Sequence, residues 1–190
     1  MAKIGFRHPW VAKYNRSTGT YTDGFKCGHG VSLNIAPNYA EGSLFGDDVQ
    51  VEYEKTFKDA AVSLGVTTLP QVAESTMFGH TVSEEGEVTY KTTDEGNYVG
   101  TGWISVEKID GVTKYTGNIL TCVKFSAGAE DYTTKGENIE FKTPVLEGKA
   151  IADANEAWKK YEQFDTAEAA ATYVKNFLNI TENSSEDTTP

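Results

Sequence analysis

The stretch Tyr98–Phe125, YVGTGWISVEKIDGVTKYTGNILTCVKF, decides the fold. Two runs rich in β-branched and aromatic residues flank Asp110-Gly111. Asp-Gly between such runs signals a two-residue hairpin, because a type I′ turn needs positive φ at both central positions. With Asp110 and Gly111 as the loop, Ile109 faces Val112, Val106 faces Tyr115 and Glu107 faces Lys114. An aromatic/β-branched pair or an opposite-charge pair each adds about 0.2–1 kcal/mol. Pattern and register agree on a long antiparallel hairpin.

Working outward, 190 residues suffice for one domain with a real core. The chain is 38% hydrophobic and 24% charged, with a net charge of −11. That balance argues against phosphate binding, which needs clustered Lys and Arg. The opening MAKIGFRHPW lacks an apolar signal region, and no apolar run reaches the length of a membrane span. Cys27 and Cys122 fall in expected strands and read as reduced, buried thiols, which implies synthesis in a reducing cytosol.

In chain order, Ile4–Ala12 reads as a strand interrupted at Pro9, and Asn15–Gly19 as a turn. Thr20–Ile35 resumes strand character with bulges at its glycines. Ala36–Glu54, APNYAEGSLFGDDVQVEYE, reads as a long excursion with room for short strands of its own, because Pro37, Gly42 and Gly46 break regular structure. It leads into a strand over Val49–Phe57, and Ala60–Val66 forms a further short strand. A short helix then starts with Thr68 as cap and Gln71 completing a capping box, and ends at Gly79. A brief strand is expected near Val88–Lys91. Glu137–Val145 alternates cleanly and Ala157–Phe164 is strand-like. Asp165 is expected to cap a last helix whose apolar stripe includes Ala170, Val174, Phe177 and Leu178, with Phe177 and Val174 as anchors. Residues 1–180 form one domain, and the acidic tail 181–190 is expected to be disordered. The fold class is mainly β with a flanking helix, a sandwich or partly open barrel.

Motifs for chemistry are missing. His8, His29 and His80 lie far apart, and Cys27-Gly28-His29 supplies at most half a zinc site. No nucleophile elbow, phosphate loop or dinucleotide fingerprint occurs. The expectation is a protein that is not an enzyme, with no cofactor and no metal. Three tryptophans and ten tyrosines keep one alternative in view, a monomeric carbohydrate-binding β-sandwich module.

Several blocks, in order, carry a resemblance: the opening MAKIGF, Leu33–Asp48 (LNIAPNYAEGSLFGDD), Gly96–Phe125, Tyr132–Gly148 (YTTKGENIEFKTPVLEG) and Trp158–Phe164. Together they resemble the major tail proteins of long-tailed bacteriophages of Gram-positive hosts. The resemblance implies the tail-tube fold: two packed antiparallel sheets and a C-terminal helix. It implies a structural virion protein that self-assembles into hexameric rings, stacked as the tube for DNA ejection. The implied partners are further copies of the chain, a tape measure protein and tail-end proteins. DNA would pass the lumen without specific binding. The implied location is the virion tail, after synthesis in the host bacterial cytoplasm.

On this reading the candidate subunit interface is Asn38, Tyr39, Leu44, Phe45, Asp47 and Asp48. Leu44 and Phe45 are hard to justify on a solvated loop, so they either pack on a neighbouring subunit or fold back on their own sheet. Asp47 and Asp48 would pair with bases of the neighbour.

Overall fold

The computed structural model describes residues 2–109, 111–128, 134 and 143–181. In chain order the elements are β1 (Ala2–Asn15), β2 (Thr20–Lys26), β3 (Gly30–Gly46), β4 (Val49–Val66), α1 (Val72–Thr76), β5 (Thr81–Val82), β6 (Val88–Thr89), β7 (Tyr98–Ile109), β8 (Val112–Ser126), β9 (Val145–Ile151), β10 (Lys159–Phe164) and α2 (Ala167–Phe177). The chain is mainly antiparallel β with a C-terminal helix. An eight-stranded sheet runs β2-β1-β7-β8-β9-β4-β3, with β10 also on β8, and β5-β6 form a small second sheet.

The β7–β8 hairpin has the expected register: Ile109 faces Val112, Val106 faces Tyr115 and Glu107 faces Lys114. Gly111 has φ of 85°, while Asp110 lies outside the described residues. The Glu107–Lys114 ion pair does not follow from that register. Lys114 Nζ instead meets the Asp165 carboxylate. The pairing holds to Thr101–Leu120, and then one extra residue enters β8 before Val99–Val123. At this bulge β8 changes its other neighbour: β10 covers Tyr115–Leu120, and β9 covers Cys122–Ser126. An unpaired extra residue bends a strand, which lets one strand serve two partners. A second bulge lies on β1 between Arg7 and Trp10, at His8-Pro9, where the proline cannot donate to the ladder.

The central strands are buried on both faces, so they read as near-continuous apolar runs. One face packs Val11, Val99, Trp103, Leu120 and Val123 against Val62, Leu64 and Leu146 of β4 and β9, and against Met77 and Phe78. The other packs Trp10, Ala12, Ile104, Ile119 and Cys122 against α2. Glycine makes the second contact possible. A Cβ at Gly102 would lie 2.3 Å from Val174 Cγ1, and one at Gly100 would lie 2.8 Å from Leu178 Cδ2. The helix therefore rests on bare backbone.

Several local expectations change. Thr166, not Asp165, caps α2 by accepting from the Ala169 N–H at 3.2 Å, since Asp165 is drawn to Lys114. Its buried contacts are Ala170, Val174 and Leu178, whereas Phe177 is only half-buried against Tyr21. Gln71 precedes α1 without a side-chain cap, and Thr68 does not cap it. Ala60–Val66 is the second half of β4 rather than a separate strand. The strand expected over Glu137–Val145 lies outside the described residues up to 142, and β9 begins at Val145. Residues 182–190 of the tail also lie outside them.

Candidate functional site

The largest correction concerns Ala36–Glu54. It is not an irregular excursion but most of a β3–β4 hairpin, closed by Asp47-Asp48. Both aspartates have positive φ, 50° and 63°, as a two-residue type I′ loop requires. Asp reaches this region at lower cost than most residues, so the turn forms without glycine. A shift in register between Asn38 and Tyr39 marks where the hairpin leaves the body. β9 pairs with β4 only over Ala60–Gly65. From Tyr39–Phe57 to the tip, the strands therefore pair, among the described residues, only with each other. This ribbon reaches roughly 25 Å at about 3.4 Å per residue.

The root of the arm is held on two sides. On one, Asn38 Nδ2 donates to Asp59 Oδ1 at 2.7 Å, and Lys149 Nζ lies 3.5 Å from Asp59 Oδ2. The Asn38 hydrogen bond, with the Lys149 charge behind it, holds the Asp59 carboxyl below the usual carboxylate range. On the other, Phe57 stacks on Trp158 at 4.6 Å and 11°, and Tyr39 meets Phe57 edge-on at 6.2 Å. Farther out, Lys55 Nζ lies 4.7 Å from the Tyr39 ring centre and 2.5 Å from Glu41 Oε1. The Lys55 contact lowers the Glu41 pKa in turn.

Beyond the root the ribbon carries apolar side chains that nothing on the described chain covers. Tyr39, Leu44, Phe45, Val49, Val51 and Tyr53 are 45% to 67% exposed. Leu44 and Phe45 do not fold back on their own sheet. Alternation puts them on opposite faces near the tip, next to Asp47 and Asp48. All six candidate interface residues lie on this one element, Asn38 at its root and the rest along it. Sequence reasoning missed Val51, Tyr53, Trp158 and Asp59. The alternation Val49, Val51, Tyr53, Lys55, Phe57 was the available signal for the first two.

Two other features have polar character. His80 Nδ1 is 2.9 Å from Asp94 Oδ2, an oxygen that also accepts the Lys91 N–H at 2.8 Å. The imidazole and that N–H hold Asp94 below the usual carboxylate range. His80 Nε2 has no hydrogen-bond partner among the described residues and lies 3.9 Å from Glu74 Oε2. Nearby, a cavity of about 420 Å³ has an apolar floor that includes Phe78, Tyr98, Phe125 and Ile151, with Lys124 and Lys149 beside it. Cys27 and Cys122 are free and buried, and burial pushes their thiols up to about 12 and about 11. Among the described residues no group of three His, Cys, Asp or Glu is placed to hold a metal ion. No helix among them is long and apolar enough to cross a membrane.

Compared with models of known families and with curated proteins, the chain matches none.

Proposed function

We propose that this chain is a structural subunit that assembles with copies of itself into stacked rings, the tube of a long-tailed bacteriophage. The observation that carries this reading is the β3–β4 arm, a two-stranded ribbon whose apolar side chains are uncovered on a single copy. A two-stranded hairpin is marginally stable in water unless something packs on it. Its outer backbone groups offer hydrogen bonds to a further strand. A contact surface explains both features better than a connector does. The layered sheet with a helix on its flank is compatible with the tail-tube fold, and an acidic surface suits a conduit that must pass DNA without binding it. On this reading the tape measure protein and tail-end proteins are partners, and the location is the virion tail.

Negative-stain microscopy and light scattering of the purified protein test the proposal. Rings or tubes that grow with concentration are the expected result. A monomer at every concentration overturns it and favours the carbohydrate-binding alternative. The double variant Leu44→Ser with Phe45→Ser should stay folded by circular dichroism and lose assembly. Normal assembly of that variant removes the arm from the interface.

A further inference from the structure

We infer that the arm tip of one copy enters the Tyr98 cavity of a second copy, Phe45 meeting its apolar floor and Asp47 and Asp48 meeting Lys124 and Lys149. This rests on the reading of the chain as a self-assembling subunit. It adds to that reading the surface that receives the arm.

Size and chemistry match on both sides. The cavity, about 420 Å³, falls within the roughly 300–1,000 Å³ of ligand-sized sites, with room for an aromatic side chain. Its floor is Phe78, Tyr98, Phe125 and Ile151. Phe45 is 65% exposed and stands next to the two-residue acidic turn. In a chain of net charge −11, a recess flanked by two lysines is where an acidic turn finds complementary charge. Lys124 Nζ is now 3.0 Å from Glu95 Oε1, but that glutamate is 85% exposed. That pair is weak and can exchange partners. Lys149 is 64% exposed but lies 3.5 Å from the buried Asp59 carboxylate, so it adds its charge to the recess while staying beside Asp59.

Direction matches as well. β4 and β8 both run antiparallel to β9, so they point the same way. Val123 of β8 is level with Ala150, which is level with Ala60 of β4. The arm extends from Ala60 toward the β4 N-terminus, and the cavity residues of β8, Lys124, Phe125 and Ser126, lie past Val123 toward the β8 C-terminus, with Ile151 level with Cys122. Tip and cavity therefore lie in opposite directions along the strands. A contact between two different patches at opposite ends is heterologous and propagates head to tail. Copies joined this way form a column.

Cysteine cross-linking tests the contact directly. Ser43→Cys, on the same strand face two residues from Phe45, with Ala127→Cys at the cavity rim should give a ladder of disulfide-linked multimers on oxidation. Ser43→Cys with Lys108→Cys, near the tip of the β7–β8 hairpin at the other end of β8, should not. The native thiols are buried and do not compete. A ladder from both pairs, or from neither while micrographs show tubes, overturns the inference and leaves the assembly reading standing. A chain that never assembles overturns both. Separately, Lys124→Glu, which leaves the arm root untouched, should raise the concentration needed for assembly roughly tenfold, with the circular dichroism unchanged. An unchanged assembly threshold counts against the contact.

Discussion

Replacing Leu178 by Ala should destabilise the protein more than replacing Phe177 by Ala, although Phe177 is the larger side chain. Leu178 is 0% exposed and lies over Gly100 and Gly102. Removing a buried Leu costs the transfer term plus a cavity term that grows with the void that remains. Two of the walls here are glycine backbone, with no side chain to move into the space. That places Leu178→Ala in the upper part of the usual range, about 3–5 kcal/mol. Phe177 is half-buried, its ring 5.5 Å from Tyr21 and 5.0 Å from Lys160 Nζ. Loss of those contacts costs about 1–2 kcal/mol. For a chain of this length each kcal/mol moves Tm by about 2–4 °C. Leu178→Ala should therefore lower Tm by roughly 6–20 °C and Phe177→Ala by roughly 2–8 °C. Urea and thermal unfolding followed by circular dichroism measure both. An equal or larger loss in Phe177→Ala refutes the glycine-bed account of how α2 docks.

Gly102→Ala should cost about 1–3 kcal/mol by overpacking, because its Cβ would meet stiff Val174 at 2.3 Å, and an unchanged urea midpoint would show that the helix can lift away. Gly111→Val has open space, so only its φ of 85° opposes it, and the same measurement should show a loss of about 1–3 kcal/mol. Asp94 has a depressed folded pKa, so its contribution is present above the ordinary carboxylate value and is lost as pH falls through the folded one. The stability difference between the wild type and Asp94→Asn should therefore shrink as pH falls below about 4, and a difference that does not fall there contradicts that assignment.

The β7–β8 hairpin was legible because three signals coincide: a glycine turn, two unbroken runs rich in β-branched and aromatic residues, and a register that sets Val106 opposite Tyr115. In the β3–β4 arm two of those signals fail. Its turn is Asp47-Asp48, without glycine, and Pro37, Gly42 and Gly46 imitate breaks. Burial on one face normally makes alternation visible as apolar against polar, and the arm is buried on neither. The capping of α2 was misread by one residue because sequence cannot show that Lys114, far away in the chain, draws Asp165 aside. The Tyr98 cavity could not be found at all. Its walls come from β7, β8, β9 and the segment after α1, and only the folded register brings them together.

The order of strands also sets an order of events. β1 pairs with β7, and β4 pairs with β9, so the body closes only between segments far apart in the chain. Contacts of that kind slow folding, since the intervening loop must lose its freedom first. β3 and β4, by contrast, are joined by two residues, and a hairpin of this kind forms in about 1–10 μs. A ribosome adds only about 5–20 residues per second. The nascent chain therefore has time to zip the arm long before β9 has been synthesised. On the assembly proposed above, a chain still on the ribosome carries its arm before it has a receiving side of its own.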